Sequence, residues 1–219
     1  MNLNQKPNII YILADDLGYG DVSCLNERAA FQTPYLDALY KNGMAFTDAH
    51  ATSAVCTPSR YSILTGRYNW RSRLKKGVLG GFSPALIEKG RMTVAQYLRQ
   101  NGYKTAAVGK WHLGMNFAKR SSFAEAEGFE QSEGVAYDQP ISCSPIDYGF
   151  DYFFGISASL DMPPYAYLEN DRFTQIPAHW TAGEGKGFYR RGLTAAGFDH
   201  ETVLDVFTEK VCTKIGELK

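Results

Sequence analysis

The run Ile9-Ile10-Tyr11-Ile12-Leu13-Ala14 stops abruptly at Asp15 and Asp16. A short continuous apolar run of this kind, rich in Ile and Tyr, reads as a strand over residues 8–14 that is covered on both faces. It is too short to cross a membrane, and its flanks are wrong for a signal peptide. A doubly covered strand needs helical layers, and the pattern downstream supplies them. Thr33 as N-cap and Pro34 at the first helical position open a helix that Gly43 ends, with Tyr35, Leu36, Leu39 and Tyr40 as its apolar face. Residues 44–49 are a candidate strand, and residues 58–64 a short helix stopped at Gly66. Residues 93–100 read as a helix with Val94, Tyr97 and Leu98 on one face and Asn101-Gly102 as its stop. Residues 103–108 are the next buried strand. The alternation of strand and helix predicts an α/β layer architecture. From about residue 116 to 200 the chain reads as irregular, rich in Gly, Pro and aromatics, the composition of binding loops. Residues 201–218 are amphipathic, with Val203, Leu204, Phe207, Val211 and Ile215 on the buried side.

Composition narrows the function classes. With 23 basic and 23 acidic residues among 219, the chain has no general attraction for nucleic acid or for an anionic membrane. Any preference for anions must be local. The cysteines, Cys24, Cys56, Cys143 and Cys212, form no CxxC pair and match no zinc spacing. One bridge among Cys24, Cys143 and Cys212 is compatible with the sequence but not indicated. No Asn-x-Ser/Thr sequon occurs.

Four segments carry chemistry. Asp15-Asp16 directly follow the first predicted strand, where α/β folds place their sites. Adjacent carboxylates repel each other unless a cation lies between them, and hard divalent cations take such oxygen ligands; an Asx turn leaving a strand is the commoner explanation of such a pair. The second segment is Cys56-Thr57-Pro58-Ser59-Arg60, continuing to Thr65-Gly66-Arg67. Cys56 stands before a helix N-terminus, which favours an anion. Arg60, one turn on, offers a planar guanidinium for a sulfate or phosphate oxygen pair. The third is Val108-Gly109-Lys110-Trp111-His112-Leu113-Gly114. Here Lys110 and His112, two apart on an extended segment, point the same way. The fourth is Phe154-Gly155-Ile156-Ser157-Ala158-Ser159-Leu160-Asp161.

The second and third segments, in this order and with the Asp pair ahead of them, resemble the signatures of the type I, formylglycine-dependent sulfatases, an arylsulfatase-like family. The resemblance runs from about Pro7 to the end of the chain and covers the N-terminal portion of a typical member. It implies an alkaline-phosphatase-like mixed sheet flanked by helices, incomplete in this chain, with residues 1–219 as the N-terminal part of the catalytic domain and the small antiparallel C-terminal domain absent. It implies a sulfuric ester hydrolase in which Cys56 is oxidised by a formylglycine-generating maturase to 3-oxoalanine (formylglycine), whose hydrate is the nucleophile. It assigns catalytic roles to Cys56, Arg60, Lys110 and His112, with His112 as the imidazole base. Substrate sulfate contacts fall to Lys110 and Ser159, with Ser157 as the alternative to Ser159. Asp15, Asp16 and Cys56 are assigned as ligands of Ca2+, with Mg2+ as a second choice.

In this family an Asp-Asn pair and a further Lys and His come from the second half of the protein. Nothing after Gly114 matches them, so this chain alone is expected to bind metal weakly and turn over poorly. The aromatic segment 137–189 suits stacking on sugar rings, which makes a sulfated carbohydrate the preferred substrate over a small aryl sulfate. Such a substrate implies a periplasmic or secreted setting, although no signal peptide is visible and a cytoplasmic one is compatible with the sequence. Two other readings remain: a phosphatase or phosphonate monoester hydrolase of the same fold, and an inactive truncated homologue that binds without turnover. The basic cluster Arg67, Arg71, Arg73, Lys75 and Lys76 reads as a solvated loop rather than as a steering patch for a polyanion. His50, His179 and His200 read as structural or surface residues, and Glu169-Asn170-Asp171-Arg172 as a possible pocket wall.

Overall fold

The structure is a computed structural model that describes residues 6–120 and 132–218. The chain divides into two compact units, Met1–His50 and Ala51–Lys219.

In the first unit, helix α1 (Pro34–Asn42) begins at the expected proline and stops at Gly43. A polar knot fixes its start. Asp37 accepts from Ser23 Oγ (2.8 Å), Cys24 N (3.1 Å) and Thr33 Oγ1 (2.9 Å), and the backbone N–H of Thr33 bonds back to Ser23 Oγ (2.8 Å). The hydrogen bond from Ser23, opposed by burial and aided by those from Thr33 and Cys24, holds the Asp37 carboxyl below its usual range. The two expected strands, 8–14 and 44–49, are not formed. A covered strand needs neighbours along both edges. Among its described residues the first unit holds helix and turn but no strand, so the run has no ladder in that unit. Ile9, Ile10, Tyr11 and Ile12 stay 57 to 77% exposed. The expected buried face of α1 is likewise uncovered, at Tyr35, Leu36, Leu39 and Tyr40.

The second unit holds helices α2 (Cys56–Thr65) and α3 (Val94–Gln100). It also holds the strands β1 (Ala106–Lys110), β2 (Tyr152–Ile156), β3 (Leu168–Glu169), β4 (Arg172–Phe173), β5 (His179–Gly183) and β6 (Tyr189–Thr194). It closes with helix α4 (Val203–Leu218). Strands β1 and β2 are parallel, and β3 and β4 continue the sheet antiparallel in the order β1-β2-β3-β4; β5 and β6 form a separate hairpin. Successive strand residues face opposite layers. Ala107 and Phe153 join a core with Tyr61, Leu64, Leu86, Trp111 and Tyr148, on the side of α2. Val108, Phe154 and Ile156 join a second core with Tyr165, Val203, Val206 and Phe207, on the side of α4. This is the expected mixed sheet flanked by helices.

Several local expectations change. The segment read as irregular contains β2 to β6, because two-residue strands and bulged hairpins leave too little alternation to read. On α4, Val206 is packed and Leu204 is exposed. On α3, the buried residue is Ala95, whereas Val94 and Tyr97 face outward. All four cysteines are free thiols. The 169–172 segment forms the β3–β4 turn. Its polar groups are used locally: Asn170 Oδ1 accepts from Phe153 N (3.0 Å), Tyr152 donates to Glu169 (2.8 Å), and Asp171 C=O accepts from Ile141 N (2.7 Å).

Candidate active site

Cys56 is the first residue of α2, with Val55 in extended conformation as its N-cap. Pro58 sits in the first turn, where a missing N–H breaks no helical bond and a fixed φ favours the helix. Ser59 Oγ ties back to Ser53 C=O (2.7 Å), which fixes the approach to the helix. The far end closes on Gly66, whose left-handed φ of 62° lets its N–H reach Ser62 C=O (2.9 Å). The middle is anchored by Tyr61, fully buried, whose hydroxyl donates to both oxygens of Glu88 (3.1 and 2.9 Å) while Arg67 reaches the same carboxylate (3.3 Å). Burial, then the Glu88 charge and hydrogen bond, push the Tyr61 hydroxyl above its ordinary range.

The first turn of α2 faces the C-terminal end of β1. Lys110, the last residue of that strand, places Nζ 3.0 Å from Cys56 Sγ. Arg60 Nη1 donates to the Lys110 carbonyl, and Thr57 Oγ1 donates to the His112 carbonyl (2.9 Å). No acidic side chain lies in this turn. A helix N-terminus and an ammonium therefore meet at one sulfur, with the Arg60 guanidinium bound to the adjoining strand end, an arrangement suited to an anion.

His112 is not on an extended segment as expected. Its φ is 57°, a left-handed turn. The parallel ladder runs past β1 through Trp111 N to Ile156 C=O (3.0 Å) and His112 N to Ser157 C=O (2.9 Å), and there the chain turns. The His112 ring is buried, with Nε2 2.6 Å from Leu79 C=O. Trp111 and Leu113 fill the α2-side core between these polar residues.

Ser157 is 3% exposed and its Oγ has no hydrogen-bond partner among the described residues. Ser159 is half-buried and its carbonyl accepts from Met162 N (3.0 Å). Of the two serines, Ser157 is the one bonded to the His112 backbone. Asp161 pairs with Arg190 of β6, a tie absent from the sequence reading. Asp15 and Asp16 lie in the first unit, both exposed, in a bend rather than at a strand end, with Asp16 at φ 59°. Among the described residues no group of three or more His, Cys, Asp or Glu side chains could hold a metal ion.

In the basic cluster, Arg67 is held by Glu88, Arg73 reaches the Pro84 and Ala85 carbonyls and Lys75 the Trp70 carbonyl. Of the remaining histidines, His50 pairs with Asp48 (2.7 Å) and His179 is exposed on β5. His200 stacks on Tyr189, ring centroids 3.8 Å apart. Sequence reasoning missed Thr57, although a hydroxyl directly after the cysteine was its visible sign. It also missed the Leu79 peptide, which carries no sequence signal because only its backbone takes part.

Comparison with known proteins places the chain in a family. The sulfatase family model matches residues 7–213. An N-acetylgalactosamine-6-O-sulfatase of Bacteroides thetaiotaomicron is 41% identical over 167 residues, 76% of this chain and 30% of that protein. Human arylsulfatase A is 39% identical over 147 residues, 64% of this chain and 29% of that protein. A solved structure from work on the metabolism of multiple glycosaminoglycans by Bacteroides thetaiotaomicron superposes with a TM-score of 0.81 at 32% identity, over 98% of this chain and 48% of that one. The chain thus spans about a quarter to a half of the length of these relatives. With the family model spanning residues 7–213 and a relative 41% identical over 76% of the chain, the chain belongs to the sulfatase family.

Proposed function

We propose that this chain carries the nucleophile half of an enzyme that hydrolyses sulfate esters, with a sulfated carbohydrate as substrate. One observation carries the reading: Lys110 Nζ lies 3.0 Å from Cys56 Sγ at the first residue of α2, with Arg60 held on the Lys110 carbonyl. When Cys56 has been oxidised to formylglycine by a maturase and hydrated, it supplies a geminal-diol nucleophile that attacks sulfur and is regenerated by elimination, which a thiol cannot do.

The chain's own residues do the rest. Lys110 places positive charge beside the reacting atom and along the incoming sulfate, from the strand end that carries it. Arg60 adds a second cation and fixes the strand end to the helix. His112, anchored at its backbone and its ring, accepts the proton that elimination releases. Ser159, or Ser157 with its buried hydroxyl, offers a sulfate contact. Asp15 and Asp16 have the oxygen chemistry of a divalent-cation site. Two carboxylates fall short of the roughly six to eight oxygens that Ca2+ takes, so they contribute part of a ligand set and no step is routed through the ion. Relatives named for a carbohydrate sulfate and for glycosaminoglycan metabolism support a sugar substrate, and with it a setting outside the cytoplasm. No helix among the described residues is long and apolar enough to cross a membrane.

The test has two parts. In protein purified from its native host, the tryptic peptide 42–60 should be lighter than the unmodified peptide by one sulfur and two hydrogens, less one added oxygen. An intact thiol there turns the reading toward a binding homologue. The full-length enzyme to which this half belongs, given divalent metal, should release sulfate from sulfated monosaccharides in preference to phosphate from matched esters, while residues 1–219 alone should turn over poorly. The reverse preference overturns the reading in favour of a phosphatase of the same fold.

A further inference from the structure

Thr57 occupies the variable position of the Cys-x-Pro-Ser-Arg motif, and it is fully buried. Its hydroxyl closes a ring of hydrogen bonds. Oγ1 donates to His112 C=O (2.9 Å) and accepts from Leu79 N (3.2 Å), while Leu79 C=O lies 2.6 Å from His112 Nε2. The polarity of each bond is forced. A hydroxyl has one proton, a carbonyl only accepts, and an amide N–H only donates. Thr57 must therefore donate to the His112 carbonyl and accept from the Leu79 N–H. The Leu79 carbonyl can only accept, so Nε2 of His112 must carry a proton. In a neutral imidazole the lone pair then belongs to Nδ1.

We propose that Thr57 is a positioning residue that, through the Leu79 peptide, holds His112 as the Nε2–H tautomer and makes Nδ1 its proton-accepting atom. This rests on the sulfatase reading only for the use made of that lone pair; the tautomer itself follows from the bonds. The left-handed backbone of His112, φ 57°, explains why such support is needed. A non-glycine residue persists in that region only where its surroundings over-determine it. Here three bonds do so: His112 N to Ser157 C=O (2.9 Å), Thr57 to the His112 carbonyl, and the ring to Leu79. Two residues after Leu79 the backbone packs closely on Pro163, where a Cβ on Gly81 would fall 1.8 Å from the carbonyl oxygen. Cys56 and His112 are thereby locked together by the side chain of the residue that follows the cysteine.

The experiment is ring-nitrogen NMR of the full chain carrying 15N-histidine, at a pH where imidazoles are neutral, with the His112 signals assigned by their loss in His112→Gln. The expected spectrum has Nε2 protonated and Nδ1 bare. Thr57→Val and Thr57→Ala should let the two tautomers exchange, and Thr57→Ser should restore the wild-type pattern. A proton on Nδ1 in the wild type, or an unchanged ring pattern in a folded Val or Ala variant, overturns the proposal. If neither variant folds by circular dichroism, the wild type and Thr57→Ser decide, and Nδ1 protonation in either is fatal. In the formylglycine-bearing enzyme Thr57→Val should lower kcat by about 10–100-fold with KM unchanged, the usual cost of losing an orienting partner. Equal formylglycine content by mass must accompany that comparison. The expected ring pattern in a protein that cleaves no sulfate ester would refute the functional reading and leave the positioning role standing.

Discussion

Lys110 serves the site twice, through its ammonium on Cys56 and through its carbonyl under Arg60. Only the first of these is side-chain chemistry, so the two can be separated. Lys110→Ala should keep the carbonyl, the Arg60 anchor and the melting temperature. It should lower sulfate-ester turnover of the formylglycine-bearing enzyme by about 100-fold, the scale of losing one preorganised charge-stabilising donor. Paired thermal melts and initial rates check this. His200 gives a second prediction at this scale. Burial lowers its pKa from the ordinary 6.5, against a smaller opposing pull from Asp199. The fold therefore favours the neutral ring, and the unfolded chain binds the extra proton first. Stability from this group is complete above pH 6.5 and is lost as pH falls toward the folded value. Urea midpoints across that interval should decline on acidification, and His200→Phe, which preserves stacking on Tyr189, should flatten the decline. Of these residues, Cys56, Arg60 and Lys110 were legible because motif spacing maps directly onto one helical turn and one strand end. The backbone at His112 was not, since a left-handed turn at a non-glycine residue leaves no trace in composition.

The contact between β1 and β2 positions the whole site, and it depends on a glycine. Gly155 stands opposite Gly109 in the parallel register, and a Cβ there would lie 1.9 Å from the Gly109 carbonyl oxygen. Gly155→Ala should push the end of β1 outward. It should cost about 1–3 kcal/mol by overpacking, read as a lower urea midpoint, and should weaken activity more than stability because Lys110 is the next residue along. Helices were the elements best read from sequence. Thr33-Pro34, Gly43, Gly66 and Asn101-Gly102 are local start and stop chemistry, and each delimits a helix here. Strands depend on partners elsewhere in the chain. Residues 103–108 were recognised, within a few positions, because β1 meets a parallel neighbour. Residues 8–14 have an equally convincing pattern, but no ladder forms there.

At the level of the molecule, the second unit has the two covered sheet faces that an α/β layer fold requires, with α2 on one and α4 on the other. The first unit exposes its apolar run and helix face. That contrast predicts unequal behaviour. Hydrogen exchange should protect β1 and β2 far longer than any amide of residues 8–14, and the reverse order would contradict the layering. The burial around the cysteine also fixes a sequence of events in time. Thr57 and Pro58 are buried, and Arg60 is occupied by the Lys110 carbonyl. With Cys56, Ser59 and Arg60 themselves half-buried, a maturase acting on this segment as proposed finds it partly covered once α2 has docked. On the proposed reading oxidation precedes docking, so an unfolded chain offered to the maturase should be converted readily, while the finished fold offered to the same catalyst should keep its sulfur.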